Sequence, residues 1–340
     1  TADNNTAIGY NALVANTTGT ENVVVGANAA DAGTNISNTV AVGYNALTNT
    51  TNNHNTAVGS KALEDTTSGS SNVAVGSLAL TDNITGISNV AVGMSALRYG
   101  TAGSNNAALG GGALQNNTAS NNTAVGYQSL NANTSGTSNV AIGGNALDAN
   151  TTGSSSTAVG FNSLSANTTG NNTAVGKDSL KANTTGSANT AVGSGSLDSN
   201  TTASYNTALG NASLKNNTSG SQNTAVGHDA LNDNTQGDFN VAMGSNALAK
   251  NTTGDNNTGL GTAALLNNTT ADNNTAVGKD SLKANTTGSE NVAVGSLTLD
   301  ANTTASFNTA VGHRTLSANI TGTPNTAIGG DAMRENTTGG

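Results

Sequence analysis

The sequence predicts an all-β fold, a β-solenoid or parallel β-roll of about twenty 17-residue coils. The string Asn-Thr-Ala-Val-Gly or a close variant recurs twenty times, with its glycine running from Gly9 to Gly329. Sixteen of the nineteen intervals are 17 residues long and three are 16. Asn (57), Thr (54) and Gly (43) supply 154 of the 340 residues, a composition that disfavours helix. The alternating, β-branched triplet before each glycine is typical of a short strand.

Copies this short bury no core alone, so they must stack, one copy to a coil. A strand spacing of about 4.8 Å predicts a rod roughly 95 Å long. We predict a single repeat domain over residues 1–340, irregular in roughly 26–110, where the Asn seven residues after the glycine is often missing. Both ends cut through a coil, which favours a segment of a longer fibre.

Period-2 alternation places the first and third residues of each strand triplet on one face and the middle residue on the other. We expect the Val before the glycine to face inward, opposite the Leu four residues after it, because bulky side chains fill an interior. The Ala between the β-branched residues then faces outward, and a strip of small side chains predicts self-association. The predicted core ladder contains Val58, Leu63, Val75, Leu80, Val175, Leu180, Val192 and Leu197. The predicted self-association strip contains Ala57, Ala74, Ala91, Ala124, Ala174, Ala191 and Ala208.

The Asn seven residues after the glycine has two interpretations. Stacked Asn side chains hydrogen-bond along a solenoid and tolerate turn conformations. In 14 copies the same Asn begins an N-x-T/S sequon, as at Asn16 and Asn302. In a eukaryotic secreted protein that triplet predicts a row of glycans, and elsewhere it is only a ladder at a turn.

Catalytic, metal and cofactor sites are not expected. The chain has no Cys, so it has no thiolate ligand or disulfide. His54, His228 and His313 have no second histidine at a recurring spacing. The Asp residues two after the glycine recur only every third coil, about 14 Å apart, too far for an acid–base pair. These residues are Asp178, Asp229, Asp280 and Asp331.

Charge and hydropathy exclude two kinds of partner. Ten basic residues are dispersed among 19 acidic ones, for a net charge of -9, which argues against nucleic acid. No run of 18 apolar residues is present, so no membrane span is predicted in this segment.

Four of the eight aromatic residues share the position just after the glycine: Tyr10, Tyr44, Tyr127 and Phe161. This column predicts an exposed contact ridge that stacks on sugars or a receptor. The alternative is a turn position that accepts any side chain, since Lys177 and Ser194 occupy it too.

The segment Asn139–Gly143, Asn-Val-Ala-Ile-Gly, and the longer unit at Asn55–Leu63 resemble the head repeats of trimeric autotransporter adhesins. They are also similar to repeats in some phage tail fibres. The resemblance covers nearly the whole chain. It implies a left-handed parallel β-roll and three chains side by side on a cell or virion surface. The implied partners are other copies, as homotrimer or filament, and a host surface, matrix or glycan.

We therefore expect an extracellular structural or adhesive fibre element that self-associates. The first alternative is an ice-binding, or other lattice- or glycan-binding, solenoid. Ice binding needs outward rows of Thr, and the assignment above turns the Thr before Ala inward. A polysaccharide-cleaving tailspike ranks third, because it needs clustered carboxylates and the columns supply none.

Overall fold

The computed structural model describes residues 2–339 and confirms an all-β solenoid whose strands recur about every 17 residues. Contacts divide the chain into two compact units, Thr1–Asn171 and Asn172–Gly340, each described by itself. The first unit contains β1 (Thr6–Ile8), β2 (Val23–Val25), β3 (Val40–Val42), β4 (Thr56–Val58), β5 (Val73–Val75), β6 (Val90–Val92), β7 (Ala107–Leu109), β8 (Thr123–Val125), β9 (Val140–Ile142) and β10 (Thr157–Val159). The second contains β11 (Thr173–Val175), β12 (Thr190–Val192), β13 (Thr207–Leu209), β14 (Thr224–Val226), β15 (Val241–Met243), β16 (Thr258–Leu260), β17 (Thr275–Val277), β18 (Val292–Val294), β19 (Thr309–Val311) and β20 (Thr326–Ile328).

Within each unit, every strand pairs in parallel with the next, so equivalent residues of successive coils lie side by side. Ala191 pairs with Ala208, for example. The pairing survives where a coil has 16 residues, since Ala41 still pairs with Ala57 and Ala108 with Ala124. The missing residue is therefore absorbed at the corner away from the strand.

The glycine that ends each strand is required by the backbone. At Gly210 the value of φ is +139°, and a Cβ there would lie 2.5 Å from the carbonyl oxygen of Gly227 in the next coil. The Leu four residues later is also left-handed, with φ of +50° at Leu214. This unusual conformation for Leu is held because the Leu214 amide donates to the Ala230 carbonyl of the next coil, at 2.9 Å.

The Ala and Val columns face opposite to the sequence prediction. Every Ala of the predicted self-association strip is 0% exposed: Ala57, Ala74, Ala91, Ala124, Ala174, Ala191 and Ala208. The Val residues of the predicted core ladder lie on the outside; Val75 is 37% exposed and Val58, Val175 and Val192 are half-buried. The Leu residues of that ladder are confirmed as core, since Leu63, Leu80, Leu180 and Leu197 are fully buried.

The physical reason is the width of the interior. Each coil has one strand, and the Leu four residues after the glycine already fills the space behind it. A Cβ added at Gly259, in the Ala column, would lie 3.4 Å from the Leu248 side chain. The coil that has Ala30 in the Leu column has Val24 in the Ala column, and both are buried. Ala is therefore the size that fits opposite Leu, and β-branched residues are placed outside.

Two ladders of buried Asn complete the interior. In the ladder just before the strand, Asn72 Nδ2 donates to the Gly86 carbonyl at 2.9 Å, while its Oδ1 accepts from the Asn89 amide at 3.0 Å. In the ladder seven residues after the glycine, Asn251 Nδ2 donates to Asn234 Oδ1 at 2.8 Å and to the Gly254 carbonyl at 2.9 Å. The backbone of the corners is thus satisfied by side chains of neighbouring coils.

The second ladder removes the glycosylation alternative for most of its sequons. Asn302 is 0% exposed, and its Nδ2 donates to Asn285 Oδ1 and to the Ala305 carbonyl. A glycan on this nitrogen would replace one of the two donated hydrogens, and the buried site has no room for it. The folded chain therefore supports the interpretation of this column as a ladder of hydrogen-bonded Asn side chains. Asn16, at the first coil, is only partly buried.

Candidate interaction surface

The exposed surface of the strands, called the outer face here, consists of the first and third residues of every strand. Its members are Thr, Val, Ile, Leu, Met and one Ala, and none of them is charged. Leu209 and Met243 are each 47% exposed, which is high for large apolar side chains on a strand. Because pairing is parallel and in register, the two residues of each strand form two straight rows along each unit.

The outer face of one unit is comparable in size to a protein–protein interface. Burying a Val or Leu completely is worth about 1.5–3 kcal/mol at about 25 cal/mol/Å², which corresponds to roughly 60–120 Å². Most residues of the outer face are half-buried, and at about 30% exposure each still offers about 18–36 Å². Ten strands with two such residues each offer on the order of 400–700 Å², against about 800 Å² per partner in a stable interface.

The Thr residues that precede the buried Ala also lie on the outer face, so the expectation that they point inward is wrong. In the second unit eight of the ten strands begin with Thr. Thr190, Thr207 and Thr224 follow one another in register at about one strand spacing, 4.8 Å. The hydroxyls therefore form a regular row beside the row of Val.

The predicted contact ridge is exposed as expected, although nothing in the structure shows what it contacts. Tyr10, Tyr44, Tyr127 and Phe161 are each more than half exposed. The Phe161 ring lies over the equivalent residue of the preceding coil, Gly144, where an added Cβ would be 3.4 Å from the ring. All four lie in the first unit.

A second aromatic column escaped the sequence analysis. Tyr205, Phe239 and Phe307 occupy the second residue before the strand, all in the second unit, and are 65%, 54% and 59% exposed. The signal was their common distance from the following glycine, five residues in each case. Asn or Ser fills this column in eleven of the other seventeen coils, which made it resemble an ordinary polar turn.

Titratable groups form no cluster that could hold a metal ion in the part of the chain that is described. No group of three His, Asp or Glu that could hold a metal ion is present within residues 2–339. His228 Nδ1 lies 3.1 Å from the Asp229 carboxylate on an exposed surface. Burial raises the pKa of the Asp148 and Asp300 carboxyls, but the two are nine coils apart in sequence.

Two further findings bear on partners and family. Across residues 2–339 there is no helix with the length and hydrophobicity needed to cross a membrane. No protein-family profile matches the chain, and no curated protein matches it significantly.

Proposed function

We propose that the chain is a structural fibre element, displayed outside the cell or on a virion, that self-associates through its outer face. The observation behind the proposal is an uncharged, regularly spaced surface of Val, Leu, Met and Thr. Exposed apolar patches of this extent mark interaction sites. The resemblance to adhesin head repeats supports the extracellular placement and the adhesive role.

A second copy of the chain is the occupant that suits this surface best. The outer face repeats with the strand spacing, so another copy presents rows with the same spacing, and uncharged rows meet without desolvating a charge. The estimated area per unit approaches the area that one partner contributes to a stable interface. The buried Ala strip takes no part in this contact.

Introducing positive charges on the outer face tests the proposal. Val192→Lys, Leu209→Lys and Val226→Lys together place three cations on adjacent strands of the outer face. We expect sedimentation to change from an oligomer or filament to a monomer, because three lysines would have to be buried together.

The matched control changes the same three coils by the same charge elsewhere. Ser194→Lys, Asn211→Lys and His228→Lys occupy the exposed position after the glycine. This control should leave the assembly unchanged. A monomeric wild-type chain, or equal dissociation by both triple variants, would contradict self-association through the outer face. The mass of the wild-type particle separates a trimer from an open filament.

Lattice binding, ice in particular, is the second candidate, and the outward Thr row specifically favours it. The sequence argument against ice binding was that the Thr before Ala points inward, and the fold places this Thr on the outer face instead. A clear thermal hysteresis at micromolar protein that is lost in Thr207→Tyr would support this function. A wild-type chain without hysteresis would exclude it, and an effect unchanged by Thr207→Tyr would exclude the outer face as the ice-binding surface.

A further inference from the structure

We propose that Tyr205, Phe239 and Phe307 form a stacking platform for a neutral, extended β-1,4-linked glycan. The three residues define what we call the aromatic column. It lies two positions before the strand and shares no residue with the outer face, and the proposal does not rest on self-association.

The backbone at this column makes aromatic residues a costly choice. All three adopt left-handed conformations, with φ of +62° at Tyr205, +58° at Phe239 and +61° at Phe307. Asn tolerates this region, as at Asn256 and Asn273 in the same column, whereas a bulky residue there is an outlier. Their rings are also more than half exposed, so packing does not explain them.

The backbone of the column is fixed by hydrogen bonds to the preceding coil. Each aromatic residue donates its amide to the carbonyl of a Ser in the preceding coil. The donors and acceptors are Tyr205 to Ser187 at 3.1 Å, Phe239 to Ser221 at 3.2 Å, and Phe307 to Ser289 at 3.2 Å. A rigid aromatic side chain presents a large contact area at a small entropic cost.

The spacing identifies the geometry of the ligand. Tyr205 and Phe239 are two coils apart, and Phe239 and Phe307 are four coils apart. At about 4.8 Å a coil, the rings recur at about 10 Å and 19 Å. In an extended β-1,4-linked glycan successive sugars are flipped, so that the same sugar face recurs once per disaccharide, a length close to two coils. From Tyr205 to Phe307 the platform spans about 29 Å, or about three disaccharide repeats, so a ligand that contacts all three rings has at least seven sugars.

The charge around the column identifies a neutral ligand. Asp238 immediately precedes Phe239, and Asp255, Asp272 and Glu290 lie in the coils that separate Phe239 from Phe307. No Lys or Arg occupies either of these two columns in the second unit. A platform for single-stranded nucleic acid would need basic residues along its backbone path. An acidic border repels any polyanion and leaves neutral polysaccharides, whose hydroxyls hydrogen-bond with such groups.

Binding isotherms on amorphous cellulose, whose chains are long enough to reach all three rings, test the platform directly. We expect the full chain to bind amorphous cellulose, and single Tyr205→Asn, Phe239→Asn or Phe307→Asn changes to weaken binding a few-fold to about tenfold each. The triple variant should show no measurable binding. Asn is the usual residue of this column, so these variants keep the fold and the sedimentation behaviour, and loss of binding is separable from loss of assembly.

A register variant tests the spacing itself. Tyr205→Asn combined with Gln222→Tyr keeps three aromatic residues but moves one ring by a single coil. It should bind amorphous cellulose as weakly as Tyr205→Asn alone. Equal binding by the register variant and the wild type would overturn the inference. So would a wild-type chain that does not bind amorphous cellulose, or one that loses no affinity in the triple Asn variant.

Discussion

The buried Asn ladder that runs seven residues after each glycine provides a sharp test of how the solenoid is stabilised. At Asn217 the side chain makes three hydrogen bonds while 0% exposed. Its Nδ2 donates to Asn200 Oδ1 at 2.9 Å and to the Gly220 carbonyl at 2.8 Å, and its Oδ1 accepts from Asn234 Nδ2 at 2.9 Å. We predict that Asn217→Ala destabilises the second unit substantially.

The magnitude follows from the three contacts. A buried hydrogen bond contributes about 0.5–1.5 kcal/mol, and an orphaned buried partner costs about 1–3 kcal/mol. The Gly220 carbonyl keeps a second donor, Asn206 Nδ2 at 2.9 Å, so its loss is partial. We expect Asn217→Ala to lower the free energy of unfolding by about 2–4 kcal/mol. Asn217→Asp should cost more at neutral pH, because a carboxylate cannot donate and its charge would be buried.

Urea denaturation followed by circular dichroism measures these differences. Asn211→Ala, in the same coil, is the matched control, because Asn211 is exposed and makes one exposed hydrogen bond of 3.2 Å to the Ser194 carbonyl. It should change stability by no more than about 0.5 kcal/mol. Equal midpoints for Asn217→Ala and Asn211→Ala would refute a stabilising role for the ladder. An Asn217→Asp variant no worse than Asn217→Ala would refute the donor geometry.

Three further substitutions are expected to change the stability of the fold, two of them upward and one downward. Asp148 Oδ1 is buried with no hydrogen-bond partner among residues 2–339, and burial raises the pKa of its carboxyl. The Asp148 carboxyl therefore stabilises the fold most below its unfolded pKa, and this stabilisation is lost as pH rises through the folded pKa. Asp148→Asn should raise the urea midpoint at pH 7 but not at pH 3. Gly259→Ala restores the usual residue of a buried strand position and should stabilise by up to about 1 kcal/mol in thermal unfolding. Gly210→Ala, at φ of +139° and 2.5 Å from the Gly227 oxygen, should destabilise by at least about 1–3 kcal/mol in the same assay.

The periodicity of the sequence was sufficient to predict the architecture. The recurring glycine located all twenty strands, and the strict Leu and Asn columns predicted a core ladder and a side-chain ladder that the structure confirms. These features are local and repeated, so each copy supplies independent evidence for them. Handedness, oligomeric state and adhesive function stay predictions.

The direction of the strand side chains could not be predicted from alternation alone. A period of two has two possible phases, and choosing the wrong one moves every side chain to the other face. One signal was present: the coil with Val24 in place of Ala also has Ala30 in place of Leu, which indicates that the two columns share one space. A similar exchange occurs where Gly33 replaces the Asn of its column. The Ile36 side chain is fully buried there, and a Cβ added at Gly33 would lie 2.9 Å from it.

The aromatic column was missed for a different reason. Tyr205, Phe239 and Phe307 are only three members of a column that is otherwise mostly polar, and their left-handed backbone is invisible in the sequence. The cost of placing a bulky residue there became apparent only with the φ values.

Single-cysteine labelling of strand β13 tests most directly which side chains of the strand are buried. The natural chain has no Cys, so each variant carries one thiol. Thr207→Cys, Ala208→Cys and Leu209→Cys are compared with a maleimide at a dilution where sedimentation shows separate chains. We predict rapid labelling at positions 207 and 209, and no labelling at 208 until the chain is denatured. Rapid labelling at position 208 with protection at 207 and 209 would contradict the inward Ala and the outer face together.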